Sequence, residues 1–250
     1  EHNFSKNIKG SEQSLRNITR EDLLEAHKRI FQKQNLFIGV SGKISEEEIK
    51  KFIDFVFGEA GDAPKINGPN SFSALMQGTK IYKMQTPQTS VVFGHPGVSR
   101  KAEIFFALRI ANYVLGGGGF QSRLYKNIRE RKGLVYSVYS YLLSYENDGV
   151  IVGGFQTRNE SVNETIKKVR NEWSKMQKNG ISKQELEDAK AYFNGSFIRN
   201  FTSTISIARL LQIVQYYDLG EDYFKKRSEI INNLSLKDVN VIISEFFRAD

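Results

Sequence analysis

The sequence predicts an α+β protein: an antiparallel sheet with helices packed on one face. Three observations carry this reading. The β-branched and aromatic segments cluster between residues 79 and 157, whereas everything from Glu160 onward keeps helical spacing. A Ser or Thr followed three residues later by an acidic residue recurs at Thr19, Ser45, Ser182 and Ser235, and each marks a helix start. Strands in one block and helices in another indicate segregated layers, not alternating βαβ units.

Behind Thr19 and Asp22, the positions Leu23, Leu24, His27, Ile30 and Phe31 share one face, which predicts a helix over about 20–33. Asn35 to Ser41 is short and apolar and is closed by Gly42, as in a buried strand. Ser45 with Glu48 opens a second helix carrying Ile49, Phe52, Ile53, Val56 and Phe57, stopped at Gly58. Residues 58–71 hold Gly58, Gly61, Pro64, Gly68 and Pro69 and almost no large apolar side chain, the signature of a linker. Thr79 to Met84 and Thr89 to Gly94 read as strands joined through Pro87. Lys101 to Leu115 reads as an apolar helix, Gly116 to Gly119 as a loop, and Phe120 to about Arg131 as another helix. Leu134 to Leu143 and Gly149 to Thr157 read as an antiparallel pair turned at Glu146-Asn147-Asp148. In the next helix Val162, Ile166, Val169, Trp173 and Met176 form a core stripe; Ser182 with Glu185 caps the one after, and three more follow.

Composition narrows the function. The 250 residues carry 36 Lys+Arg against 28 Asp+Glu, a formal charge of +8, with 40% hydrophobic residues. This is a globular balance. The basic residues alternate with acidic ones along helix faces and lack an aromatic-interleaved motif, so no nucleic-acid partner is expected. The longest apolar stretch, Ile104 to Gly119, is broken by Arg109 and Asn112, so no membrane span is expected. With no Cys, thiolate metal sites and a Cys nucleophile are excluded. No Asp/Glu arrangement completes a triad for Ser99 or any other Ser.

One internal similarity bears on domain organisation. Thr19-Arg-Glu-Asp-Leu, ending its helix at Phe31-Gln32, overlays Ser235-Leu-Lys-Asp-Val, ending at Phe247-Arg248, at a constant offset of 216. The first copy runs on into the 36–41 strand; the second has none after it. The expected organisation is therefore 1–57 as the tail of a preceding homologous N-terminal domain, 58–71 as a linker, and 72–250 as a C-terminal domain lacking its last strand. The 36–41 strand is expected to add to the edge of the 79–157 sheet, within the chain or by exchange in a domain-swapped dimer.

The sharpest local feature is Leu115-Gly-Gly-Gly-Gly-Phe-Gln-Ser-Arg-Leu-Tyr125, followed by Ile128-Arg-Glu-Arg-Lys-Gly-Leu-Val-Tyr136. A phosphate loop is disfavoured, since the glycines follow a helix and no Gly-Lys-Ser/Thr is present. Two readings stay open: a plain helix–helix connection, or a loop whose missing side chains let a peptide backbone approach.

These residues resemble the signature of the second half of the pitrilysin/insulinase family of zinc metallopeptidases, the family of the mitochondrial processing peptidase. The Ile18-Thr-x-x-Asp-Leu helix, the Asn35-Leu-x-Ile-x-Val-Ser-Gly segment, Pro96-Gly97 and Ile181 to Lys190 follow in family order over nearly the whole chain. The resemblance implies a metallopeptidase half-clamshell domain, similar to the LuxS/mitochondrial processing peptidase-like fold. It implies a His-x-x-Glu-His zinc site in the first domain. Here His2, His27 and His95 are isolated, so no metal ligand or other cofactor is expected in this chain, and zinc is expected only in the parent enzyme.

By the same resemblance, Arg129 and Tyr136 are the catalytic contribution of this half, and Gly116, Gly117, Gly118 and Gly119 the substrate-binding loop. An Arg fork suits a peptide carbonyl, and a Tyr hydroxyl can donate to an oxyanion. Without the resemblance Arg129 is one of a solvated cluster with Arg123, Lys126, Arg131 and Lys132, and Tyr136 an ordinary strand aromatic. His27 reads as a core or rim histidine, and His95, in Gly-His-Pro-Gly, as part of a turn. The expected function is the C-terminal half of a zinc metalloendopeptidase, inactive alone, with a peptide or protein substrate and the missing N-terminal half or a partner subunit as partners. The alternative is a non-catalytic interaction or structural subunit of the same fold.

Overall fold

The computed structural model describes residues 6–64, 66 and 78–248. They belong to two units, Glu1–Phe72 with Asn200–Asp218, and Ser73–Arg199 with Leu219–Asp250. Part of the expected 58–71 linker, residue 65 and residues 67–71, lies outside the described residues.

The first unit holds α1 (Glu12–Arg16), α2 (Arg20–Ile30), α3 (Glu46–Phe57) and, from later in the chain, α7 (Thr204–Tyr216). The starts of α2 and α3 are those the caps predict. The Thr19 hydroxyl accepts from the Asp22 amide while Asp22 accepts from the Thr19 amide, and Ser45 with Glu48 repeats the reciprocal pair. None of these four helices contains a buried residue.

The expected strand at 35–41 is not one. A 3₁₀ turn spans Lys33–Asn35, and 36–41 forms no ladder with any described strand. The reason is α7: the Gln212 and Gln215 side-chain amides donate to the carbonyls of Phe37 and Ile38 at 3.1 and 3.0 Å, and Phe37 packs edge-on to Tyr216. A Cβ at Gly39 would stand 2.0 Å from the Ala208 carbonyl oxygen, so glycine is what lets the segment lie against that helix. Within the chain, 36–41 therefore adds no strand to the 79–157 sheet.

The second unit contains β1 (Gln88–Pro96), α4 (Phe105–Asn112), β2 (Val135–Ser144), β3 (Gly149–Arg158), α5 (Val162–Asn179), α6 (Lys183–Ile198), α8 (Tyr223–Asn233) and α9 (Leu236–Phe246). Its three strands form one antiparallel sheet in the order β1-β3-β2. The hairpin follows the sequence reading, with Ser144 opposite Gly149. Residues 79–84, expected as a strand, carry no ladder, and Ile81, Tyr82 and Met84 are exposed.

Alternation divides the sheet faces. Val138, Ser140, Ile151 and Phe155 are buried under helices, while Val92, Tyr139, Tyr141 and Leu143 are exposed on the other side. Beneath the buried face α4 is covered almost all round, with seven of its eight residues buried. His95 is corrected from turn to strand: it lies in β1 among Trp173, Phe246 and Phe247, and its Nε2 accepts from the Arg248 amide at 3.2 Å. The Asn240 side chain both accepts from the Ile181 amide (2.8 Å) and donates to its carbonyl (3.1 Å), fastening the α5–α6 turn to α9. Among the described residues no helix is long and apolar enough to cross a membrane.

Candidate active-site rim

After α4 the helix widens. Tyr113–Gly117 forms a π turn, Gly119–Gln121 a 3₁₀ turn, and Tyr125–Glu130 a second π-helical stretch. The expected four-glycine loop is therefore mostly helical turn. Asn112 explains its position. Inside a buried helix its amide pairs with Ser140 on β2, accepting from the hydroxyl at 2.7 Å and donating to the carbonyl at 3.2 Å. Gly116 lies over the same serine, and a Cβ there would come within 2.5 Å of Ser140 Oγ and 2.8 Å of its backbone nitrogen. Gly116 is buried by this contact, Gly118 is half-buried, and Gly117 and Gly119 face solvent.

Arg129 sits in the last turn of the 125–130 stretch, and the chain reverses at Gly133, whose φ of +59° suits glycine. The Gly133 amide donates to the Arg129 carbonyl at 2.9 Å and the Leu134 amide to the Ile128 carbonyl at 3.2 Å, capping the helix end. The chain enters β2 directly, through an irregularity in register between Val135 and Val138 that contains Tyr136. This turn brings the two predicted residues together. The Arg129 guanidinium lies 5.6 Å from the centre of the Tyr136 ring and 4.6 Å from that of Tyr125. Tyr136 is 85% exposed, so its hydroxyl is held out from the rim while its ring leans on a cation.

Of the solvated cluster, Arg123 leaves for a different role. It forms a two-pronged ion pair with Glu185 (2.7 and 2.6 Å) and donates to the Gly180 carbonyl at 3.0 Å. Burial pushes the Glu185 carboxyl up, but the Arg123 and Ser182 hydrogen bonds outweigh it and hold the group below its ordinary value. Lys126, Arg131 and Lys175 line the adjacent groove.

The other sequence candidates take no part in this rim. His27 is an exposed side chain resting on the Phe31 ring at 4.5 Å. Among the described residues no three His, Asp or Glu side chains gather as a metal would require, so the residues present do not fit zinc.

A family model described as the peptidase M16 inactive domain matches residues 17–193. An uncharacterized zinc protease, YmxG, of Bacillus subtilis (strain 168) is 30% identical over 262 residues, covering 100% of this chain and 60% of that protein. A Helicobacter pylori relative, named a non-peptidase homolog YmxG, is 27% identical and is matched over 94% of this chain and 54% of its own. Among solved structures, the crystal structure of a peptidase M16 inactive domain from Pseudomonas fluorescens superposes with a TM-score of 0.81 at 25% identity, over 98% of this chain and 58% of that one. The chain thus spans 60% or less of the length of each of these three proteins. With the model match over 17–193, the chain belongs to the peptidase M16 inactive-domain family.

Proposed function

We propose that this chain is the substrate-positioning C-terminal half of a two-domain zinc endopeptidase, with Arg129 and Tyr136 as the residues it contributes to the reaction. The observation that carries the reading is the rim itself: a cation and a phenol from two different elements, 5.6 Å apart, with the phenol open to solvent. The relatives named zinc proteases support the class of chemistry.

In this reading an extended peptide lies along the rim. Arg129 offers its fixed fork of donors to a substrate carbonyl, and the Tyr136 hydroxyl donates to the scissile carbonyl oxygen as negative charge builds on it. The turns at Gly117 and Gly119 leave the backbone beside this path without side chains. Zinc would belong to the preceding domain. In this reading residues 1–57 belong with that domain and 72–250 form the C-terminal domain. The absence of any buried residue from α1, α2 and α3 supports setting 1–57 apart.

The test uses the intact protein. Tyr136→Phe and Arg129→Ala should each lower kcat/KM on a peptide substrate by roughly 10²-fold, the scale of losing one oxyanion donor, with the melting temperature unchanged. Turnover within a factor of about two of the parent for both variants refutes these roles. A second reading, a non-catalytic subunit of the same fold, is favoured by the relative named a non-peptidase homolog. It predicts that the intact protein has no peptidase activity and no His-x-x-Glu-His ahead of residue 1.

A further inference from the structure

Away from that rim, the second unit gathers three arginines without a counter-charge. Arg227, on α8, is only 2% exposed. One of its terminal nitrogens, Nη2, donates to the Phe193 carbonyl at 2.9 Å, while Nη1 is buried with no hydrogen-bond partner. Arg109, on α4, and Arg100, ahead of it, complete the group. Arg109 and Arg227 converge on Phe193: the first lies 4.7 Å from its ring centre and the second bonds its carbonyl. Arg100 and Arg109 share Phe105, at 4.1 and 6.0 Å from its ring centre. Arg100 also donates to the Tyr223 hydroxyl. Among the described residues none of the three forms an ion pair, and Asp222, beside Tyr223, is paired with Lys226 instead.

This arrangement is unfavourable as it stands. Buried charges are normally paired, and leaving one unpaired is strongly destabilising. Deprotonation does not relieve it: burial, with Arg109 and Arg100 nearby, lowers Arg227 to about 10, which leaves it charged at neutral pH. The rings of Phe105, Phe193 and Phe197 soften the repulsion through their faces, yet a ring cannot satisfy the unpaired Nη1 donor. What the group lacks is an acceptor with negative charge.

We infer that Arg100, Arg109 and Arg227, with the Tyr223 hydroxyl, form a binding site for a small oxyanion, a phosphate or carboxylate group. Guanidinium forks match the paired oxygens of such groups, and Tyr223 adds a donor that the Arg100 contact already orients. The half-buried Arg100 and Arg109 provide the approach, and Arg227 the buried charge behind them. The site is independent of the Arg129–Tyr136 rim, which shares none of its residues.

The test is thermal unfolding of the intact protein with sodium phosphate or sodium acetate added against sodium chloride at matched ionic strength. A specific site gives a saturable rise for at least one of the two, roughly 5 °C at a hundredfold excess over its Kd, and the responding salt identifies the class. Arg109→Gln and Arg227→Met should abolish the rise. Lys126→Ala, in the separate basic groove, should keep it. If Arg227→Met does not fold, Arg109→Gln decides. No rise beyond chloride, a rise that survives Arg109→Gln, or one lost in Lys126→Ala overturns the assignment.

Discussion

The two units obey the same local rules and differ in what those rules are attached to. Every buried hydrophobic side chain among the described residues belongs to the second unit, from Phe105 in α4 to Phe247 after α9. Among the described residues of the first unit the only buried side chain is polar. Gln32 donates to the Lys28 carbonyl and accepts from the Ala63 amide at 2.9 Å, tying the end of α2 to the turn at 61–63. Yet α3 has a complete capping box and an apolar stripe of Phe52, Phe55 and Val56. Caps decide where a helix starts. They do not hold it folded, because helices of 11 or 12 residues are marginal in water until their apolar face is covered. The first unit has the start signals, and no apolar side chain among its described residues is buried.

The most severe way to break this comparison is to empty the second unit's core. Phe247 is fully buried against Trp173 and His95, so Phe247→Ala should cost about 3–5 kcal/mol in urea unfolding. Phe55, 88% exposed, is the counterpart, and Phe55→Ser should change stability by no more than about 0.5 kcal/mol. A Phe55→Ser cost comparable with that of Phe247→Ala would mean that the α3 face is covered in solution, and the contrast between the units would fail.

A milder test uses one glycine from each unit. Gly116→Ala drives a Cβ into Ser140 and into the Asn112 pair, so it should cost about 1–3 kcal/mol. Gly39→Ala meets the Ala208 carbonyl, and relief is available by lifting residues 36–41 away from α7. It should leave the main unfolding transition in place and raise amide hydrogen exchange across that segment. Loss of the same free energy in both variants would show the units unfolding as one.

The sequence disclosed what is encoded within a few residues. The capping boxes at Thr19, Ser45 and Ser182 and the β2–β3 hairpin are local patterns, and each is found where expected. So is the proximity of Arg129 and Tyr136, because a short turn at Gly133 joins them. What escaped depends on partners distant in sequence. Residues 36–41 have strand composition, but glutamines some 175 residues away take their carbonyls. The four glycines read as a loop because Ser140, which requires Gly116 to be small, lies on another element. Arg109 interrupted an apolar helix in the sequence, a visible irregularity. That Arg100 and Arg227 join it follows only from the packing of α8 against α4 and α6.

The finest comparison sets two copies of one capping box side by side. Ser45 with Glu48 and Ser182 with Glu185 make the same reciprocal bonds. Glu48 is lowered by Ser45 alone, through its side chain and then its backbone, in full solvent. Glu185 is partly desolvated, which raises it, and Arg123 is the largest of the influences that bring it back below 4.5. A carboxyl depressed in the folded state adds stability above its unfolded value and loses it as pH falls through the folded one, so both contributions decline progressively as pH falls below about 4.5. Removing the cation separates the copies. Arg123→Met should destabilise the second unit by about 1–3 kcal/mol at pH 7, the scale of hydrogen bonds to a charged group. It leaves Glu185 with its desolvation and only Ser182 to oppose it, so the remaining contribution is lost at a higher pH than in the parent. Below the folded pKa of the parent, Glu185 is protonated with or without Arg123, and the gap between the two proteins should shrink. Urea midpoints from pH 7 to 3 measure this directly. A gap that stays constant across the range would mean that the Arg123–Glu185 pair contributes through packing of the arginine stem and not through its charge.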